Sequence, residues 1–197
     1  MSEVDPGNRQ RKVRVEARRS VAAILDAALR VLGERPQASM DEVATAAGVS
    51  RQTVYAHFPS REALIGAAVR RLTEEAVHAM DAADLDRGPA REALARMLEV
   101  NWRIFERFPL LWSAPVAADE DLHVPVFERL ERLIRRGQEA GEFDAAAAPG
   151  WLIAATVALG HAAGVEVAAG RMTAEEGRAA LRTGVLRVYG VAPPGVG

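Results

Sequence analysis

The chain has 197 residues, of which 49% are hydrophobic and 26% charged, enough apolar material to bury a sizeable core and too much for a disordered chain. It contains no cysteine, which excludes disulfides, thiolate metal sites and cysteine nucleophiles. The net charge of −2 is unevenly placed: residues 1–61 carry ten basic and seven acidic side chains, the remainder fifteen and twenty. A basic head and an acidic body suggest that the head alone meets a polyanion.

In chain order, the first residues are polar and lack the apolar run of a signal peptide, so a cytoplasmic location is expected. Residues 1–15 read as a flexible basic arm, with Pro6 and Gly7 near its start. Its Arg9, Arg11, Lys12 and Arg14 suit either a solvated tail or a strand tracking a minor groove. From Arg18, the apolar residues Val21, Ile24, Leu25, Ala28 and Leu32 trace one helix face, which Gly33 to Pro36 ends. Ser39-Met40-Asp41-Glu42 is a capping box that opens a short helix to Ala47. Gly48 supplies a left-handed turn, Ser50 caps a second short helix ending near Phe58, and Ser60 caps a longer one.

Beyond Asp84–Pro89, helices are predicted near 90–107, 109–117, 123–140, 151–169 and 174–190, the last opened by a second capping box at Thr173–Glu176. No strand pattern persists. The expectation is an all-α protein of about nine helices: a helix-turn-helix domain over 16–65, a larger helical domain over 66–190, and a tail over 191–197. The stretch 151–169 is apolar on every side. Alanine is weakly lipophilic, and Glu166 and His161 interrupt the run, so packing against a second copy is favoured over a membrane span.

Two short helices joined at Ala47-Gly48-Val49-Ser50 have the dimensions of a helix-turn-helix. Val43, Ala44, Val49 and Val54 would hold the helices crossed. That leaves Arg51, Gln52, Thr53, Tyr55, Ala56 and His57 outward, mostly side chains of the kind that bond base edges and phosphates. The run from Ile24 to Val69, with its ILDAAL, AAGVS and TVYAHFPSREAL segments in order, resembles the DNA-binding domain of the TetR family of transcriptional regulators. The resemblance covers about a quarter of the chain.

It implies a ligand-responsive DNA-binding regulator, and in most such proteins a repressor released from a palindromic operator by a small molecule. Carried over by position, Arg51, Gln52 and Thr53 are the expected base contacts, and Ser39, Tyr55, His57 and Arg61 the expected phosphate contacts. Ala56 stands where many members have a bulkier side chain, and Met40 where a second hydroxyl often follows the first. The large side chains Trp102, Phe105, Phe108, Trp112, Phe127 and Trp151, with His161, are either pocket walls or plain core. Dimerisation is expected through helices 151–169 and 174–190, since one helix-turn-helix touches too little DNA for specificity.

The four histidines lack metal-ligand spacing, and phosphate-loop and nucleophile motifs are absent, so neither cofactor, metal nor enzyme activity is expected. The rival readings are a helical small-molecule binding protein with a vestigial head, and a non-specific DNA binder of the nucleoid type.

Overall fold

The computed structural model describes residues 6–107 and 120–191, apart from the side chains of residues 6–10, 12, 13, 107 and 120–122. Among the described residues there are eight helices and no strand: α1 (Pro6–Glu34), α2 (Met40–Ala47), α3 (Arg51–His57), α4 (Arg61–Ala82), α5 (Ala90–Arg107), α6 (Glu120–Glu139), α7 (Pro149–Ala168) and α8 (Ala174–Val188). The helix expected over 109–117 lies outside the described residues, as does the tail over 192–197. The chain divides into two compact units, Met1–Val69 and Arg70–Gly197, a few residues beyond the boundary expected at 65.

In the first unit, α1 extends much further towards the N-terminus than its apolar face suggests. Residues 6–15, expected as a flexible arm, form its first turns. Proline is well suited to the first helical position, and no breaker follows Gly7 until Gly33, so the helix held by its buried half propagates backwards. That buried half carries Ile24, Ala28, Leu29 and Leu32, each at most 2% exposed. Helix α2 packs against both α1 and α3. Its capping box is formed in full: Ser39 Oγ accepts from Glu42 N–H at 3.3 Å, and Ser39 N–H donates to Glu42 Oε2 at 2.8 Å. Gly48 takes φ 67°, the left-handed conformation that lets its N–H and that of Val49 return to carbonyls of α2.

The second unit has one core, built from Met80 on α4, Leu94, Met97 and Trp102 on α5, Leu130 and Ile134 on α6, Leu152 on α7, and Leu181 and Val185 on α8, together with Tyr189. Helices α7 and α8, joined by the short turn at 169–173, pack against each other and both against α5. Small residues permit the close approaches. A methyl group on Gly177 would come within 2.8 Å of the Trp102 ring.

Arginines organise the α4–α5 loop. Arg96 donates to the carbonyls of Ala83, Asp84 and Arg87 at 2.8–3.0 Å. Arg136 donates to those of Leu85, Asp86 and Gly88 at 2.6–3.2 Å. These bonds satisfy loop carbonyls that have no helical partner. The Glu142 carboxylate accepts from the N–H groups of Ala90 and Arg91, covering the start of α5. Those N–H bonds, the Ala90 one foremost, hold its pKa below the ordinary carboxylate value.

Candidate nucleic-acid interface

Helix α3 is seven residues long, and its inward anchors are Val54, fully buried, and Phe58 just past its end, 7% exposed. With those positions inward, helical geometry turns Arg51, Gln52, Tyr55 and Ala56 outward, and all four are exposed. Ser50 caps the helix: its Oγ accepts from Thr53 N–H at 3.1 Å and lies 2.8 Å from Thr53 Oγ1. The cap fixes the axis of a helix too short to persist alone.

The expected contact residues divide into two groups. Arg51, Gln52 and Tyr55 form an open outer face. Thr53 is half-buried with its hydroxyl turned back onto Ser50, and His57 is half-buried with its ring centre 6.4 Å from that of Phe58. Ser39 has its hydroxyl committed to the Glu42 carboxylate at 3.0 Å. Arg61 turns away from the outer face altogether, donating to the Pro36 carbonyl and, at 3.5 Å, to that of Ala38. In this form Ser39 and Arg61 brace the α1–α2 turn. Glu42 serves the same turn, pairing with Arg35, and its pKa lies below the usual 4.5, chiefly because Ser39 N–H bonds to the charged form.

Sequence reasoning missed Asp41. Its Oδ2 accepts from Arg51 Nη1 at 2.9 Å, tying the start of α2 to the start of α3, while the Arg51 guanidinium carbon lies 5.3 Å from the centre of the Tyr55 ring. The only signal was a pair of opposite charges near the starts of two helices meant to cross.

The residues expected around a ligand pocket differ widely in exposure. Trp102 is core at 2% exposure, Phe105 and Phe127 are half-buried, His161 is exposed, and Trp151 is 64% exposed. Phe108 and Trp112 lie outside the described residues. A hollow of about 410 Å³ in the second unit is a groove between α5 and α8 whose walls include Ala95, Leu98, Glu99, Arg103, Arg178 and Arg182. None of the five described candidates lines it. Among the described residues no group of histidine and carboxylate side chains is arranged to hold a metal ion.

Residues 24–68, which span the end of α1, all of α2 and α3 and the start of α4, match the profile of the bacterial regulatory proteins of the tetR family. Over this stretch the chain is similar to members of that family. Among curated proteins it is similar to the HTH-type transcriptional repressor LfrR of Mycolicibacterium smegmatis, 41% identical over 81 residues, which is 41% of this chain and 43% of that protein. It is also similar to the HTH-type transcriptional regulator BetI of Rhizobium meliloti, 37% identical over 87 residues, 41% of each chain. The chain thus spans about two fifths of the length of these curated relatives in alignment. Among solved structures, that of LfrR from Mycobacterium smegmatis in complex with proflavine aligns with a TM-score of 0.69 at 28% identity, covering 87% of this chain and 96% of that one. The tetR-family likeness therefore extends in fold beyond the matched head. These relatives are transcriptional regulators by name.

Proposed function

We propose that the chain is a ligand-responsive transcriptional repressor that binds a palindromic operator as a homodimer. The observation that carries this reading is the outer face of α3. Arg51, Gln52 and Tyr55 are exposed together on a capped helix whose other side is anchored by Val54 and Phe58. A helix serving only to pack has no use for that face. In the proposed complex α3 lies in the major groove, Arg51, Gln52 and Thr53 reach base edges, and Tyr55 and His57 meet phosphates. For Thr53 this requires its hydroxyl to be shared with the Ser50 cap. Ser39 and Arg61 support the complex by holding the α1–α2 turn, and from there they add contacts to phosphates.

The dimer is proposed to form through α7 and α8. Along α7, Trp151, Ala154, Ala158, His161, Ala162 and Val165 recur at helical spacing and are all exposed. Only 17% of the most apolar 18-residue window of that helix is buried, although it is long and apolar enough to cross a membrane. The polar groups of α7 favour water and protein over lipid: Glu166 pairs with Arg171 at 2.6 Å, and Thr156 bonds to Tyr189 at 2.9 Å. A second copy covering the stripe gives a four-helix interface, and the dimer so formed offers two heads to operator half-sites spaced about one DNA turn, roughly 34 Å. The protein is accordingly read as cytoplasmic and without a cofactor.

Ligand response rests on the relatives. LfrR, named a repressor, has been crystallised with proflavine. A ligand that favours a head spacing unsuited to the operator weakens DNA binding, and DNA weakens ligand binding by the same factor. The test is selection of bound duplexes from a random pool, followed by titration of the selected duplex against bulk competitor at fixed salt. Arg51→Ala is expected to weaken operator binding by about 1–3 kcal/mol and to relax preference at one base pair of each half-site. Absence of any preferred duplex refutes the proposal.

A further inference from the structure

Arg51 is held from two sides. Its Nη1 donates to Asp41 Oδ2 at 2.9 Å, and its guanidinium carbon stands 5.3 Å from the centre of the Tyr55 ring, one helical turn along α3. Both members of the ion pair are more than half exposed, at 65% and 55% of the side chain, so neither charge needs the other in order to be tolerated by the fold. The consequence of the pair is one of orientation. An arginine free in solvent samples many rotamers, whereas two contacts on one guanidinium select a narrow set. The bond to Asp41 is made by Nη1. The edge formed by Nε and Nη2 carries the two parallel donors that match guanine O6 and N7.

The carboxylate also carries charge. Asp41 sits in the first turn of α2, close to the helix that is to enter the groove. A negative charge there opposes phosphates and weakens binding to every duplex. On a duplex without the right base, Arg51 gains most by swinging to a phosphate. It must then leave Asp41 behind, an unpaired anion beside the DNA backbone.

We propose that Asp41 is the positioning residue that gives Arg51 its base selectivity: it presents the guanidinium to guanine in one orientation and penalises complexes in which Arg51 leaves it for a phosphate. The inference rests on the reading of α3 as a recognition helix given above, and it adds to that helix a specificity element located on α2.

The experiment compares the full-length protein with its Asp41→Asn variant at one salt concentration. The probes are the duplex that the wild type selects from a random pool and a random-sequence duplex of equal length. Asp41→Asn is expected to tighten binding to the random duplex while leaving the selected duplex unchanged or weakened. The discrimination ratio then falls by about 5- to 10-fold, the scale of losing part of one bidentate base contact. Repeating the selection with the variant is expected to erase preference at one base pair per half-site. In an Arg51→Ala background, the same substitution is expected to leave the ratio within twofold. Equal tightening on both duplexes overturns the inference, since the carboxylate would then act through charge alone. An unchanged ratio overturns it too, as does an equal fall in the Arg51→Ala background. Thermal melting of each variant shows whether the head remains folded. Failure of the wild type to prefer any duplex is a separate result, which removes the reading of α3 itself and this inference with it.

Discussion

Ala158 lies midway along the exposed stripe of α7, on the same side as Trp151, Ala154, Ala162 and Val165. In an isolated protomer, Ala158→Glu replaces one exposed helical residue with another, costing the fold less than about 0.5 kcal/mol in helix propensity. In a dimer formed through this stripe, the same substitution places a carboxylate in the apolar centre of the interface. A two-fold axis does so twice, with like charges facing each other. Desolvating an unpaired carboxylate costs several kcal/mol even after relaxation, so a dimer weakened by at least ~3 kcal/mol is expected. That corresponds to a rise in the dimer Kd of at least about 100-fold. Sedimentation equilibrium from nanomolar to micromolar protein reads the change directly, with Ala140→Glu, an exposed position beyond the end of α6, as the control. Circular dichroism melting should find the variant protomer folded. A dimer Kd within threefold of the wild type would show that the stripe is not the interface, and the four-helix arrangement would have to be abandoned.

Other expectations follow from individual contacts. Ser39→Ala removes the acceptor for Glu42 N–H and should lower the stability of the first unit by about 1 kcal/mol in denaturant titration. Because the folded state holds the Glu42 pKa below 4.5, its contribution is fully present above that pH and fades as the pH falls below it. The stability difference between wild type and Glu42→Gln should therefore shrink on acidification, and a difference that grows would reverse the assignment. Gly177→Ala, normally favourable in a helix, should instead destabilise by roughly 1–3 kcal/mol, since the added methyl meets Val167 at 2.6 Å and Trp102 at 2.8 Å. Calorimetry decides the sign. Burial raises the Tyr189 pKa to about 12, so stability should fall as the pH rises from about 10 towards 12, when the unfolded phenol ionises first. Tyr189→Phe should remove that alkaline component and cost about 0.5–1.5 kcal/mol at neutral pH through loss of the bond to Thr156.

Much of the head was legible because its signals are local. A serine three residues before a glutamate, a glycine where the chain must turn left-handed, and apolar residues at helical spacing each act within one or two turns. The structure forms the two capping boxes and the Gly48 turn as the residues predict. The outward position of Arg51 and Gln52 follows from the burial of Val54 by helix geometry alone. The N-terminal extension of α1 was obscured because charged residues suit a solvated helix and a disordered arm equally well, and composition does not separate the two.

What the amino-acid order alone determined is therefore the helical class, the turn-defining residues and the identity of the helix that faces outward. Only the tertiary structure decided which side chains on that surface are already engaged. It took Arg61 into carbonyl bonds with the α1–α2 turn, paired Arg51 with Asp41, and left Trp151 and His161 on the exposed surface of α7. The physical reason is range. Caps and helical periodicity act between residues three or four apart, whereas a guanidinium meets whichever carboxylate or carbonyl the crossing of separate helices brings within about 3 Å.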